Sequence, residues 1–425
     1  MRRKQVLLLA FAAVLPALVA TAAPAAELPK AQGPELRVSS STAPGASLRH
    51  PVAAFTATGS LVTWEDDRAG IVGRFFGADS VAQSAALTLV ANHVPTLLPY
   101  KTQVTIAKEP AIAVLPSGQF FLFWTEETDI EEADLFFIQD TLIDHEVFGR
   151  LFNAAGTPAG DRFRVHAGSA GFQNGARALV RSADVVVVWQ SSRNPVFPTN
   201  GATDGVFART FDFSGHATSP ELRVSPAGTR SSNPAIAGAK SKFLVAFDGS
   251  DGNGRGVFAQ PYTAALAPIG AVVRVNTDTA LDQRRPAVAA DAAGNYMVVW
   301  QSQFPDIKHA RVYGQQLGAA GNLIGGQIAV SKGADKYEVA PAVAAGTSTF
   351  LVSWLGYGDT FPTGILVSSI DRVTGAVGAA VQVNQRSLGA NTQNWLAGNG
   401  AGAFLSTWEG FAGDDLGISG RRITE

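Results

Sequence analysis

A set of polar residues recurs at one position, directly after an aromatic residue that ends an apolar run. The aromatic residues are Trp64, Trp124, Trp189, Phe247, Trp300, Trp354 and Trp408. The residues that follow them are Glu65, Thr125, Gln190, Asp248, Gln301, Leu355 and Glu409. Most of these side chains can hydrogen-bond a polar ligand such as a glycan or a peptide. For each single residue the alternative is that it caps a turn or is solvated.

A second polar set stands immediately before short segments rich in alanine: His50, Glu109, Asn233, Arg285 and Asn394. Arg177 is a further candidate, because it replaces the small residue that the other Ala-rich segments carry. Loops that carry binding residues are usually held by a rigid scaffold. If the scaffold brings both sets to one face, that face is the predicted ligand-binding surface.

Paired carboxylates are the best candidates for catalysis. Glu65 or Asp66 could act together with Glu409 or Glu126, since glycoside hydrolysis needs two carboxyl groups about 5 to 10 Å apart. The alternative is that these carboxylates form an acidic rim that has no catalytic activity. The sialidase pattern is not met, because the chain has no Ser-x-Asp-x-Gly-x-x-x-Trp box and no Phe-Arg-Ile-Pro segment. A glycoside hydrolase or lyase is therefore the second hypothesis, after a binding module.

Metal chemistry has weaker support. The segment 248–254, Asp-Gly-Ser-Asp-Gly-Asn-Gly, lacks the ligand spacing and the closing Glu of an EF-hand. The acidic insertion 125–146 could form a lid or a loose Ca²⁺ site, or it could be a solvated loop that packs as an extra hairpin or helix. The six His residues are scattered and the chain has no Cys, so a zinc site is not expected. Calcium is the one cofactor that we consider, and none is required.

These residues belong to a unit that recurs about every 53 to 65 residues. Each copy has an Ala-rich segment such as 286–289, an apolar run such as 185–189, and a third segment such as Gly205-Val206-Phe207-Ala208-Arg209. These three occur seven times each, whereas a fourth, alternating segment occurs six times within the repeats. The missing copy stands near the start, because residues 34–39 match residues 220–225 letter for letter.

The four segments read as strands, which are short, rich in β-branched and aromatic residues and bounded by turn residues. Four strands per repeat are typical of propeller blades. The second strands are apolar on both faces, as expected for strands covered on both sides. The Ala-rich first strands suit the crowded centre of a ring, in which Arg177 is an exception.

The predicted fold is therefore all-β, a seven-bladed β-propeller with four-stranded blades, closed by the N-terminal strand 35–39 that completes the last blade. Closure of this kind would leave no open sheet edge at the seam. The domain is expected to span residues 27–425. The predicted blades are at about 50–92, 109–168, 174–228, 233–279, 285–334, 340–387 and 391–425.

The repeat resembles a family. The patterns Pro-Ala-Val-Ala, Val-Val-Trp-Gln-Ser and Gly-Val-Phe-Ala-Arg, clearest at 287–301, 186–192 and 205–209, are similar to those of uncharacterised secreted bacterial β-propeller repeat proteins. The resemblance covers nearly the whole chain after residue 26. It implies an architecture and export, and it carries no catalytic motif that could be transferred.

The start of the chain predicts that export. Residues 1–26 form a signal peptide pattern, with Arg2, Arg3 and Lys4 before an apolar stretch at 6–20 that is too short to span a bilayer. We therefore expect a secreted or periplasmic protein without a transmembrane segment. A net charge of −2 and no basic block argue against a nucleic-acid partner. The expected protein is a monomer that binds a polysaccharide or protein ligand, with a passive structural role at the cell surface as the third hypothesis.

Overall fold

The computed structural model describes most of the chain between residues 28 and 425. The described ranges are 28–39, 46–93, 96–98, 101–133, 138–168, 171–193, 204–239, 241–280, 282–304, 309–332, 337–357, 362–385, 393–411 and 416–425. The predicted signal peptide, residues 1–26, lies outside them. All regular structure in these ranges is β-strand, and they contain no helix that could cross a membrane.

The strands follow the repeats. The first half of the chain contains β1 (Lys30–Arg37), β2 (Leu48–Phe55), β3 (Gly59–Asp66), β4 (Gly70–Gly77), β5 (Leu87–Ala91), β6 (Thr96–Leu98), β7 (Lys101–Val114), β8 (Phe120–Ala133), β9 (Ile138–Phe152), β10 (Phe163–Arg164), β11 (Phe172–Val180), β12 (Val185–Ser192), β13 (Gly205–Phe211) and β14 (Leu222–Arg223). The second half contains β15 (Ser232–Ala239), β16 (Lys242–Ser250), β17 (Arg255–Thr263), β18 (Val273–Arg274), β19 (Gln283–Ala290), β20 (Tyr296–Gln303), β21 (Ala310–Leu317), β22 (Leu323–Ala329), β23 (Tyr337–Ala345), β24 (Thr349–Tyr357), β25 (Pro362–Asp371), β26 (Val381–Gln382), β27 (Asn394–Gly398), β28 (Ala403–Phe411) and β29 (Leu416–Thr424).

The strands form a β-propeller of four-stranded blades, but the sheets do not match the predicted count of seven separate four-stranded sheets. The described residues form six hydrogen-bonded sheets, four of which have four strands. The sheet of β7–β10 gains β6 as a fifth strand. The largest sheet has eight strands, because Ala310 and Tyr337 form a parallel bridge between β21 and β23. That bridge joins two four-stranded antiparallel units, β19–β22 and β23–β26.

The innermost strands make a closed ring. Each contacts the next in the order β2, β7, β11, β15, β19, β23 and β27, and β27 contacts β2 again. The sheet at the seam contains both ends of the described chain, in the order β1-β29-β28-β27. Leu36 pairs with Gly420 and Arg37 with Ser419, which confirms the predicted pairing of residues 35–39 with the last strand.

The seam is held by more than strand pairing. The Ile418 carbonyl accepts hydrogen bonds from the amides of Val38 and Ser39, and the Ile418 amide donates to Ser39 Oγ at 3.0 Å. Arg421 donates to the carbonyl of Gly33 at 2.9 Å. The same hydrogen bond recurs in other blades, where a Ser or Asn that follows the fourth strand accepts from a backbone amide of the third strand. One example is the bond from the Val206 amide to Ser225 Oγ at 3.0 Å.

The core lies between adjacent blades. Along β12, Val187 and Trp189 pack against the preceding blade, while Val186 and Val188 pack against the following one. These four side chains have no exposed surface. Burial of each large apolar side chain stabilises the fold by about 1.5–3 kcal/mol. This explains why the second strands are apolar at consecutive positions, as the sequence predicts.

The acidic insertion continues the second blade outward. β8 and β9 stay paired beyond the blade, from Glu126 opposite Glu146 to Ala133 opposite Ile138. β7 pairs along the same extension from Lys101, so it begins eight residues before the predicted blade boundary at 109. Of the predicted alternatives for residues 125–146, the extra hairpin is what the described residues form. Residues 134–137 lie outside the description.

Candidate functional site: the mouth of the central channel

A backbone irregularity recurs at the start of the inner strands. The residue before the proline adopts a left-handed conformation in five of these strands. These residues are His50 (φ 49°), Glu109 (φ 53°), Asn233 (φ 52°), Arg285 (φ 53°) and Ala340 (φ 52°). A non-glycine residue in this region is strained and needs support from its surroundings. The pairing register shifts at each of these points, as in a β-bulge, which redirects the side chain.

The support comes from the neighbouring blade. The bulge amide donates to the side chain that follows the aromatic residue of the preceding blade: His50 N to Glu409 Oε1 at 2.8 Å, Asn233 N to Gln190 Oε1 at 2.7 Å, Arg285 N to Asp248 Oδ2 at 2.9 Å, Ala340 N to Gln301 Oε1 at 3.0 Å, and Glu109 N to Glu65 Oε1. The first predicted polar ring therefore joins the blades to one another. Five of its seven members accept from backbone amides, which satisfies donors that would otherwise be costly to leave unpaired.

The two departures from this pattern are also compensated. Thr125 is too short for the role, and Glu109 Oε2 instead accepts from both the Thr125 hydroxyl at 2.9 Å and the Gly175 amide at 2.8 Å. Leu355 has no polar atom in its side chain, so it cannot accept a hydrogen bond from the next blade. Instead, the side-chain amide of Asn394 in that next blade donates to the Ala340 carbonyl at 2.7 Å.

Next to the seam, these contacts form an acid–base cluster. His50 Nδ1 lies 2.6 Å from Glu65 Oε1, and His50 Nε2 lies 2.8 Å from Gln393 Nε2. Burial alone would lower the pKa of His50, but the carboxylates of Glu65, Glu109 and Glu409 raise it. Burial raises the pKa of Glu409 to about 7, against the lowering effect of the His50 amide and imidazole.

The bulges surround a cavity of about 400 Å³ at one end of the channel. We call this cavity the channel mouth. Its polar lining is His50, Glu109, Arg177, Asn233, Arg285 and Gln393, together with Gln190 and Asn394. The volume falls in the range of small-molecule sites. The channel mouth therefore has room for a small ligand or for the end of a longer one.

The floor of the channel mouth is a layer of equivalent residues, one from each inner strand. Each pairs with the residue that precedes the aromatic landmark: Val52, Ala111, Arg177, Ala235, Ala287, Ala342 and Trp395. We call this layer the channel floor. Five of its members are small, so space remains above them, whereas Arg177 and Trp395 are large.

Arg177 and Trp395 meet across the channel. The guanidinium carbon lies 5.6 Å from the centre of the indole ring, although β11 and β27 are not neighbours in the ring of inner strands. The indole is fixed by a hydrogen bond from its Nε1 to the Ala53 carbonyl at 3.1 Å. Burial lowers the pKa of Arg177, while Glu109 opposes that shift. This cation–π contact places two large side chains together in a layer whose other members are small.

A second cavity of about 500 Å³ lies between the first blade and the extended hairpin. Its charged groups are already paired. Arg162 contacts Glu126 at 2.7 Å and Arg164 contacts Glu146 at 2.8 Å. Burial raises the pKa of Glu146. Glu126 therefore lines this second cavity and not the channel mouth, and it is held by Arg162.

The predicted site residues divide into two groups. His50, Arg177, Gln190 and Arg285 line the channel mouth. Glu65, Asp66, Asp248 and Glu409 are buried, and Gln301 bonds the next blade. Asp66 Oδ1 caps a turn by accepting from the amides of Arg68 and Ala69. Trp395 and Gln393 were missed as lining residues. The signal for Trp395 was its position, since it replaces a small residue as Arg177 does.

Within the described residues, no cluster of metal-ligating side chains supports the predicted calcium site. The described residues contain no group of three or more His, Asp or Glu side chains arranged to hold a metal ion. Asp248 forms an ion pair with Arg255, and Asp251 accepts from the Asn253 amide within its own turn. The binding of Ca²⁺ stays an untested prediction.

Comparison with known proteins supports the fold and nothing finer. No protein-family model and no curated protein matches the sequence. A protein of unknown function from Dyadobacter fermentans is similar over 78% of this chain and 97% of its own, with 10% identity and a TM-score of 0.52. The catalytic domain of a GH62 alpha-L-arabinofuranosidase from Coprinopsis cinerea covers 75% of this chain and 90% of its own at 10% identity, with a TM-score of 0.39. At these identities the likeness concerns architecture, and the second score is too low to carry an argument.

Proposed function

We propose that the protein is a binding module whose channel mouth holds a small polar ligand or the polar end of a glycan. One observation carries this proposal. The bulge amides make the contact between blades, so the side chains of Asn233 and Arg285 are not needed for that contact and line one cavity. A rigid scaffold with varied polar side chains around a concave mouth is the usual form of a ligand site.

Catalysis by paired carboxylates is the second candidate, and one observation favours it. The pKa of Glu409, raised to about 7, is of the kind found at general acids. The same carboxyl group, however, is only 6% exposed and accepts the His50 amide hydrogen. Because a ligand in the channel mouth would not contact it directly, binding without turnover is the better-supported function.

We further infer that the ring has seven blades and that the protein acts outside the cytoplasm. The blade count is supported by treating β19–β22 and β23–β26 as separate units, since only one bridge joins them. Export is supported by the N-terminal pattern of the sequence. A glycan of the cell envelope or its surroundings is the ligand that this location would offer.

The experiment is a binding screen with a blocked variant. The full chain is incubated with a glycan array and a peptide array, with and without Ca²⁺. Ala287→Trp fills the channel floor, whereas Val373→Trp adds the same side chain at a site that is 92% exposed. Binding that is lost in Ala287→Trp and kept in Val373→Trp is expected. Binding that survives in both variants, or no binding to any probe, would refute the proposal.

A further inference from the structure

Most polar groups at the channel mouth are already used within the protein. Glu109 Oε2 accepts two hydrogen bonds, and both ends of the Gln190 amide are bonded, to Asn174 and to the Asn233 backbone. The Asn394 side chain accepts from Ser353 and donates to Ala340. His50 contacts Glu65 through one ring nitrogen and Gln393 through the other. These groups have little capacity left for a ligand.

Two arginines are the exception. The guanidinium of Arg177 has five donors, and in the described part of the chain it uses one, from Nη1 to the Ala176 carbonyl at 2.7 Å. The side chain of Arg285 forms no hydrogen bond or ion pair with the described residues, although its backbone amide is bonded to Asp248. No carboxylate of these residues lies within ion-pair distance of either guanidinium. Arg285 is exposed, whereas Arg177 is enclosed by protein, and an enclosed cation without an ion-pair partner favours an anionic ligand.

Two neutral side chains that line the same cavity as the arginines keep acceptor capacity. Asn233 donates through Nδ2 to Asp248 Oδ2 at 2.8 Å, and its Oδ1 has no partner among the described residues. Gln393 contacts His50 through Nε2, and its Oε1 likewise has none within the described ranges. Amide oxygens of this kind accept hydrogen bonds from hydroxyl groups. The unused capacity of the channel mouth, counted among the described residues, is thus two planar cations, two amide oxygens and the second carboxylate oxygen of Glu109, Oε1.

We propose that the channel mouth binds a saccharide that carries a carboxylate, with the carboxylate on Arg177 and the sugar hydroxyls towards Asn233 and Gln393. This inference rests on the proposed function and specifies its ligand class. The planar guanidinium matches a carboxylate with two parallel hydrogen bonds, and its contact with Trp395 holds it in the channel floor. Glu109 faces the same space, so the site discriminates against a second negative charge on that side.

The test compares glucuronate with glucose by titration calorimetry at low salt, with inorganic phosphate as a third ligand. We expect glucuronate to bind at least about tenfold more tightly than glucose, since hydrogen bonds to charged groups are worth that factor or more. Arg177→Gln should abolish the preference, and Arg177→Lys should restore part of it because charge returns without the planar fork. Arg285→Gln, at an exposed position, should reduce glucuronate affinity less than about fivefold.

The outcomes separate this inference from the proposed function. Equal binding of glucuronate and glucose, or a preference that survives in Arg177→Gln, would overturn the carboxylate assignment and leave a neutral-glycan module intact. Phosphate that binds as tightly as glucuronate would overturn it in favour of a general anion site. Should Arg177→Gln fail to fold in a thermal melt, Arg177→Lys and Arg285→Gln still decide between these results.

Discussion

The raised pKa of Glu409 predicts that the contact between the last blade and the first depends on pH. The folded pKa of about 7 lies above the ordinary value of 4.5, so the folded protein keeps a proton that the unfolded chain has lost. The stability that this proton contributes is present at pH 4.5 and below and is lost as the pH rises through 7. A difference of this size corresponds to on the order of 3 kcal/mol. The raised pKa of His50 acts in the same direction.

The variant Glu409→Gln tests this reasoning. Glutamine keeps an oxygen that can accept the His50 amide, as Gln301 does for Ala340, and it does not titrate. Denaturant midpoints measured at pH 5 and pH 8 should fall with pH in the natural protein and fall much less in Glu409→Gln. The reverse change, Gln301→Glu, should introduce a pH dependence at another pair of blades. Equal pH dependence in the natural protein and in Glu409→Gln would show that this carboxyl group does not carry the effect.

Two further predictions concern the carboxylate of Glu425 and the closing strand. Burial alone would raise the pKa of Glu425, but hydrogen bonds from Thr347 and Thr349 lower it to about 2, so its contribution is present above pH 4.5 and is lost as the pH falls towards 2. Glu425→Gln should therefore lower the free energy of unfolding by about 1–3 kcal/mol at pH 7 and by much less at pH 2.5, as measured by denaturant unfolding. An equal loss at both pH values would contradict this prediction. Ser39→Ala leaves the Ile418 amide unpaired and should cost a similar amount, with faster hydrogen exchange in β1 and β29 by mass spectrometry. Ser225→Ala removes the same bond in another blade and should leave exchange at β1 and β29 unchanged; faster exchange there in both variants would mean that the effect is not local.

The fold could be predicted from the sequence because the same local strand pattern recurs in every repeat. The apolar second strands and the copy of residues 220–225 at residues 34–39 were enough to predict an all-β propeller and its closing strand. The join between β21 and β23 was not predictable, because it depends on a single bridge between Ala310 and Tyr337. Nothing in the composition of either strand distinguishes them from their equivalents.

The candidate site could be predicted only in part, because its contacts depend on neighbouring blades. Sequence spacing placed Glu65 and Glu409 next to the loops, but it could not show that a neighbouring backbone amide would occupy them. A residue before proline is expected to be extended, and the left-handed bulge at His50 is stable only because another blade supplies its partner. Arg177 was identified because it is an exception within its repeat, and the same reasoning would have identified Trp395, the other large residue of the channel floor.

At the bulges, the backbone amides hold neighbouring blades together, while the side chains line the channel mouth. His, Glu, Asn, Arg and Ala all stand at the same backbone geometry, at φ between 49° and 53°, because the backbone amide contacts the adjacent blade at every one of these positions. At His50 and Glu109 the side chain adds a second contact, to Gln393 and to the Gly175 amide. Asn233, Arg285 and Ala340 could therefore be exchanged one at a time while their backbone contacts with the adjacent blade remain, much as loops are varied on an antibody domain. Such a frame could be given a new specificity by substitutions at a handful of sites that are distant along the chain and adjacent in space.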